Sequence, residues 1–228
     1  MTLEQVLAAA SGGPEKIVAF LDASGAEATP ELARAARAEY VRAAERSDGE
    51  GALVAVLAAC MLFRRLGMEG EALRNEIDFQ ALFYLNAEDP ERYASLRSAF
   101  HDLARRADAA SRPDLAFDAE IYAAESALHG MLAAQDDTML TPTLEDTLLA
   151  TRRIGGPVAP LSFERLVYLV AQLGGGTAQE PLDGTQTPLV RELAQWVRER
   201  VPDDFAFTSD ARIDAQIAGQ LTELGRAF

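Results

Sequence analysis

Between Glu50 and Arg64 the sequence holds an unbroken apolar run, Ala52 to Phe63. A helix of this composition has no polar face to offer water, so it must be buried on nearly every side. Its 12 residues fall short of the roughly 20 needed to cross a bilayer, so the burial has to come from the rest of the chain. Leu66-Gly67 ends the run, because glycine accepts the left-handed conformation just past a last helical turn. Arg64 and Arg65 sit where the negative end of the helix dipole favours them. A second helix follows, with Leu73, Ile77, Ala81 and Tyr84 on one face and Glu71, Arg74, Asn75 and Asp78 on the other. Arg74 and Asp78 have the spacing of an i,i+4 ion pair. Gly51 to Ala87 is therefore expected to be a helical hairpin that needs a further layer against it.

Helix starts elsewhere are marked by a capping residue followed by proline: Thr29-Pro30, Asp89-Pro90, Thr141-Pro142, Thr187-Pro188, and more weakly Ser111-Arg112-Pro113. The spans that follow are Leu3 to Ala10, Glu15 to Ala23, Glu31 to Arg46, Glu91 to Ala109, Asp114 to Ala133, Leu144 to Arg153, Phe163 to Leu173 and Leu189 to Arg200. A terminal helix sets Ile213, Ile217, Leu221, Leu224 and Phe228 on one face. The buried stripes are expected to be Tyr93, Leu96, Phe100, Leu103 and Ala107, then Phe117, Ile121, Ala124, Leu128 and Met131. Gly174 to Gln186 reads as a long loop, and Asp203 to Phe207 as an irregular link. No run of alternating β-branched residues predicts a strand. The expectation is an all-α fold, about nine helices in antiparallel pairs stacked as an α-solenoid-like helical-repeat domain. It spans 1–228 as one domain, with N-terminal helices 1–50, central repeat-like helices 51–154 and C-terminal helices 161–228.

A weak internal repeat supports stacking. Leu62-Phe63-Arg64-Arg65 recurs as Leu103-Ala104-Arg105-Arg106 and as Ala150-Thr151-Arg152-Arg153, each before a turn-forming stretch. Around the first turn, Leu66-Gly67 through Ala72-Leu73 resembles the L-G-x-x-x-x-A-L core of the tetratricopeptide repeat. The resemblance covers one helical pair, and Arg106 to Leu128 only loosely. Glu76 and Phe79 depart from the family's aromatic and alanine positions. The resemblance implies paired helices that hold a protein or peptide in the groove between layers.

The balance of 21 basic and 36 acidic residues gives a net charge of −15, spread along the whole chain. Phosphate recognition needs local Lys/Arg density, so nucleic acid and anionic membrane are not expected partners. Lys16 is the sole lysine among the basic residues, and the arginine bias with abundant alanine and leucine has the look of a high-GC bacterial coding sequence. Met1-Thr2-Leu3-Glu4 has no basic n-region, so a cytoplasmic location is expected. The single cysteine, Cys60, lies inside the apolar run and reads as a small core residue.

Chemistry-bearing motifs are few. No glycine-rich loop precedes a helix, no Cys/His cluster suits zinc, and no Gly-x-Ser-x-Gly elbow occurs, so neither metal nor cofactor is expected. On the Asp114 to Ala133 helix, Asp118, Tyr122, Glu125 and His129 share one stripe at spacings of 4, 3 and 4. The simpler reading is a solvated helix edge with Glu125 and His129 as an exposed pair. The alternative is a small polar site in which Glu125 raises the His129 pKa. Arg97, His101 and Arg105 form a basic stripe on the preceding helix, suited to an acidic peptide or to balancing nearby carboxylates. The doubled arginines at helix ends read as dipole partners.

These features favour a non-enzymatic scaffold or adaptor that binds protein or peptide. The alternative is an enzyme or small-molecule sensor using the stripe around Asp118, Glu125 and His129. Homo-oligomerisation fits either.

Overall fold

The structure, a computed structural model, describes residues 1–23, 27–135, 139–153, 160–177, 182–201, 219–222 and 224. Among them are ten helices: α1 (Leu3–Ala10), α2 (Pro14–Ala23), α3 (Pro30–Glu45), α4 (Gly49–Arg65), α5 (Glu69–Leu85), α6 (Pro90–Ala109), α7 (Pro113–Ala134), α8 (Leu140–Arg152), α9 (Pro160–Thr177) and α10 (Gln186–Arg200). No strand occurs among the described residues. The all-α expectation stands at that level. By its contacts the chain divides into two compact units, Met1–Ala87 with Arg105–Leu115, and Glu88–Ala104 with Ala116–Phe228.

In the first unit α4 is the central element, packed against α1, α2, α3 and α5. Its apolar run behaves as its composition dictates: Ala52, Ala55 to Cys60, Leu62 and Phe63 are buried. Ala33 and Ala36 of α3 and Ala72 of α5 are fully buried beside it, and their short side chains let the helix axes approach closely. Burial removes the Cys60 thiol from water and pushes its pKa up to about 11.

The helical hairpins owe their shape to one repeated turn. After α3, α4 and α6 a residue takes the left-handed conformation: Ser47 (φ 56°), Gly67 (φ 68°) and Ser111 (φ 56°). In each case the next backbone N–H donates to the carbonyl five residues back: Asp48 to Ala43 (2.9 Å), Met68 to Phe63 (3.0 Å) and Arg112 to Ala107 (2.8 Å). The left-handed residues themselves donate to Ala44, Arg64 and Asp108. This paired pattern is a Schellman cap, which satisfies orphan carbonyls and reverses the chain in three residues. The equivalent backbones of Gly67 and Ser111 put Phe63 in register with Ala107. The Arg64-Arg65 and Arg105-Arg106 repeat is therefore out of phase with the turns.

Of the capping signals, Thr29 accepts from Leu32 N at 3.2 Å and Asp89 from Arg92 N at 2.8 Å, as expected. Two others are displaced: α8 begins at Leu140 and α10 at Gln186, so Pro142 and Pro188 fall third in their helices rather than first. Any position in the first turn tolerates proline, because its N–H has no intrahelical acceptor there. At α10 the capping is done upstream, by Asp183 Oδ1 accepting from Thr185 N (2.7 Å) and Gln186 N (2.8 Å).

The second unit is built around α7, where no residue from Ala116 to Gly130 is exposed. Phe117, Ile121, Ala124 and Leu128 join a core with Leu144 and Leu148 of α8, Leu166 and Leu169 of α9, and Leu193 of α10. Gly130 lies so close to α6 that an added Cβ would stand 3.2 Å from that of Tyr93. The helix α9 continues through Gly174–Gly176 to Thr177, where a loop was expected. Glycine costs a helix only about 1 kcal/mol relative to alanine, and here it extends a segment already anchored by buried Leu166, Val170 and Leu173. Of the expected terminal helix, residues 219–222 are helical and Leu221 and Leu224 are buried. Ile213, Ile217 and Phe228 lie outside the described residues, as does the Asp203 to Phe207 link.

Candidate functional site

Two members of the α6 stripe, Arg97 and His101, lie in a largely buried seam of charge in the second unit. Arg97 and His101, one turn apart on α6, converge on Asp146 of α8. Arg97 Nε donates to Asp146 Oδ2 at 2.5 Å and its Nη2 to Oδ1 at 3.1 Å, a bidentate arrangement. The imidazole Nε2 of His101 stands 3.2 Å from Asp146 Oδ1, and its Nδ1 stands 3.2 Å from Glu120 Oε2 of α7. Glu120 Oε2 receives no aligned hydrogen bond, while Oε1 accepts from Arg153 Nη2 at 3.1 Å. Glu120 is 3% exposed and Asp146 5%, so neither carboxylate retains its water. Asp146, and after it Glu120, holds the His101 imidazolium well above its ordinary pKa, at about 9. Burial pushes the Asp146 carboxyl up, but the bonds from His101 and Arg97 outweigh it and leave the pKa low.

The stripe on α7 is not a solvated edge. Asp118, Tyr122, Glu125 and His129 are all half-buried, because α9 and α6 supply partners. Ser162 Oγ donates to Asp118 Oδ1 at 2.6 Å. Arg165 binds Glu125 through Nε (3.1 Å) and Nη2 (2.5 Å), and its guanidinium carbon lies 3.9 Å from the centre of the Tyr122 ring. Tyr122 is also stacked on Phe100, centroids 4.9 Å apart, and His129 meets Tyr93 edge-on at 5.7 Å. The four residues thus share a helix face, with Tyr122 and Glu125 sharing Arg165 while Asp118 and His129 contact Ser162 and Tyr93. Arg105 is exposed and belongs to the other unit.

The doubled arginines are engaged with side chains of other helices as well as lying near helix ends. Arg65 pairs with Asp22 (2.6 Å), Arg64 pairs with Glu76, and Arg106 pairs with both Glu76 (2.9 Å) and Glu69 (3.4 Å). Arg74 reaches Asp114 at 3.2 Å, and Asp78 is bound by Arg37. Sequence reading missed Glu120, Asp146, Ser162, Arg153 and Arg165 as members of the seam. The one available signal was on α8, where Thr143, Thr147 and Thr151 recur beside Asp146. Their hydroxyls donate to Met139, Thr143 and Leu148 carbonyls at 2.7–2.8 Å, so that a polar helix face can be buried.

Chemically the seam is a set of ties. An imidazole held charged to about pH 9 has no free lone pair to act as a general base near neutrality. Among the described residues no group of three or more His, Cys, Asp or Glu could hold a metal ion. None of the helices there is long and apolar enough to cross a membrane.

An open groove of about 600 Å³ lies between the end of α8 and α10 in the same unit. Thr151 and Arg152 contribute from α8, and Pro188, Arg191, Glu192, Gln195, Trp196, Glu199 and Arg200 from α10. Arg152 spans it, binding both oxygens of Glu192 at 2.9 Å. Trp196 rests against Phe163 at 6.0 Å, with its indole N–H buried and unbonded. Arg191 and Arg200 are exposed and have no ion pair or hydrogen bond with a described residue, whereas the other described arginines are engaged.

No protein-family model, curated protein or solved structure matches the chain. The tetratricopeptide resemblance accordingly rests on the residues around Gly67.

Proposed function

We propose that the chain is a non-enzymatic module that binds a protein segment or peptide, with the α8–α10 groove as its contact surface. The observation that carries this reading is the contrast in how charge is used. In the seam, carboxylates and cations are matched with one another inside the fold. At the groove, two arginines and the edge of a tryptophan are left for something else. Arginine and tryptophan are the residues that most often anchor protein contacts. A scaffold role carries with it the stacked, solenoid-like arrangement and a cytoplasmic setting, with no nucleic acid or membrane as partner.

Recovery of the tagged protein from its native host, with bound proteins and small molecules identified by mass spectrometry, tests this. A stoichiometric protein partner that is lost with the paired substitutions Arg191→Ala and Arg200→Ala is the expected result. A bound metabolite with no protein would reverse it in favour of a small-molecule sensor, with His129 and Glu125 as the first residues to substitute.

A further inference from the structure

We infer that the groove takes an extended acidic peptide segment, two carboxylates spaced about four residues apart with an apolar residue between them. This rests on the reading of the groove as a contact surface and adds the chemistry of its occupant.

The chain as a whole carries a net charge of −15, and its described arginines are engaged by the fold except for Arg191 and Arg200. Both border the same groove. A guanidinium is always charged and offers a planar fork of donors matched to a carboxylate, so two that have no partner among the described residues are complementary to two anionic groups. Neutral or basic segments would leave both forks unused.

Spacing sets the form of the partner. Arg191 and Arg200 are separated by nine positions on α10, a rise of about 13 Å along the helix. That separation corresponds to two and a half turns, which puts the two stems on opposite margins of the groove-facing stripe. An occupant touching both must cross the groove diagonally, a span that about four residues of extended chain cover. A single small dicarboxylate does not reach across it. Between the two arginines the groove offers the side of Trp196, which suits an apolar side chain midway along the segment. The acidic groups already present do not occupy the arginines: Glu192 is held by Arg152, and Glu199 accepts from Gln195 Nε2 at 2.8 Å.

Trp196 is the sole tryptophan in the chain, so its emission reports on the groove directly. The test titrates the full-length protein with nine-residue peptides in which glutamates are fixed four positions apart and the intervening positions are randomised. A matched library with glutamines at those positions, and glutarate alone, serve as controls. A saturable change in Trp196 emission with the glutamate library, weakened about tenfold in the Arg191→Ala, Arg200→Ala double variant and by added salt, is expected. Circular dichroism and a melting curve matching those of the unsubstituted protein establish that the variant is folded. Equal binding of the glutamine library would overturn the acidic assignment while leaving a binding module standing. Equal response to glutarate would reassign the groove to small anions. No saturable change with the glutamate library would also remove the proposal, and the partner screen would then judge the broader reading alone.

Discussion

His101 of α6 and Asp146 of α8 are 45 positions apart in sequence, yet the imidazole Nε2 and the carboxylate Oδ1 approach to 3.2 Å inside the second unit. With the His101 pKa raised from its ordinary 6.5 to about 9, the folded protein holds a proton that the unfolded chain releases. The stabilisation is present in full below about pH 6.5 and is lost as pH rises through 9, on the order of 3 kcal/mol in all. Urea unfolding at pH 6, 8 and 10 should show the decline, and His101→Gln should flatten it. An unchanged slope in that variant would place the proton elsewhere.

Asp146 is the member of the seam with most to lose. Its two cationic partners, Arg97 and His101, would be left facing a buried gap in Asp146→Ala, at a cost of about 3–5 kcal/mol. Asp146→Asn retains the shape and should cost less, while moving the His101 titration back toward 6.5. A proton NMR titration of the imidazole checks the second statement independently of stability.

The three Schellman turns make a matched set for backbone strain. Serine in the left-handed region costs about 1 kcal/mol more than glycine, so Ser47→Gly and Ser111→Gly should each stabilise the protein by about 0.5–1 kcal/mol. The reverse change, Gly67→Ala, should destabilise by about 1 kcal/mol through backbone conformation alone, since an added Cβ there meets nothing within 4 Å. Thermal melting of the three variants gives the signs, and a destabilised Ser47→Gly would show that the serine side chain matters more than its φ.

Cys60 should be inert. Its thiol is buried, its pKa is pushed up to about 11, and Sγ is 3.7 Å from the Ala72 carbonyl. Iodoacetamide at pH 8 should leave the native protein unlabelled and label it fully in denaturant. Rapid native labelling would show that the first unit opens locally around α4.

What could be read from sequence was whatever is local. The α4 run, the Thr29 and Asp89 caps and the apolar stripes of α6 and α7 are short-range patterns, and each reappears in the fold, with Met131 at the end of the α7 stripe only partly buried. Misplaced features have local causes too. Pro142 and Pro188 are permitted throughout a first turn, and serine gives no compositional sign of a left-handed cap. The seam was illegible for another reason. Arg97 and Asp146 are 49 positions apart, Arg165 and Glu125 are 40, and Arg153 and Glu120 are 33, so nothing on one helix announces the others. Asp118, Tyr122, Glu125 and His129 were rightly placed on one face, but whether that face met water or another helix was a tertiary matter.

Because the three left-handed links share one backbone, their letters are free to differ. Arg46-Ser47-Asp48, Leu66-Gly67-Met68 and Ala110-Ser111-Arg112 have nothing in common beyond the central serine of the first and third, yet each reverses the chain with the same two hydrogen bonds. They are interchangeable parts. A chimera carrying the first link in place of the second should keep its hairpin, and kinship between such helical pairs is recorded in dihedral angles where the alphabet has lost it.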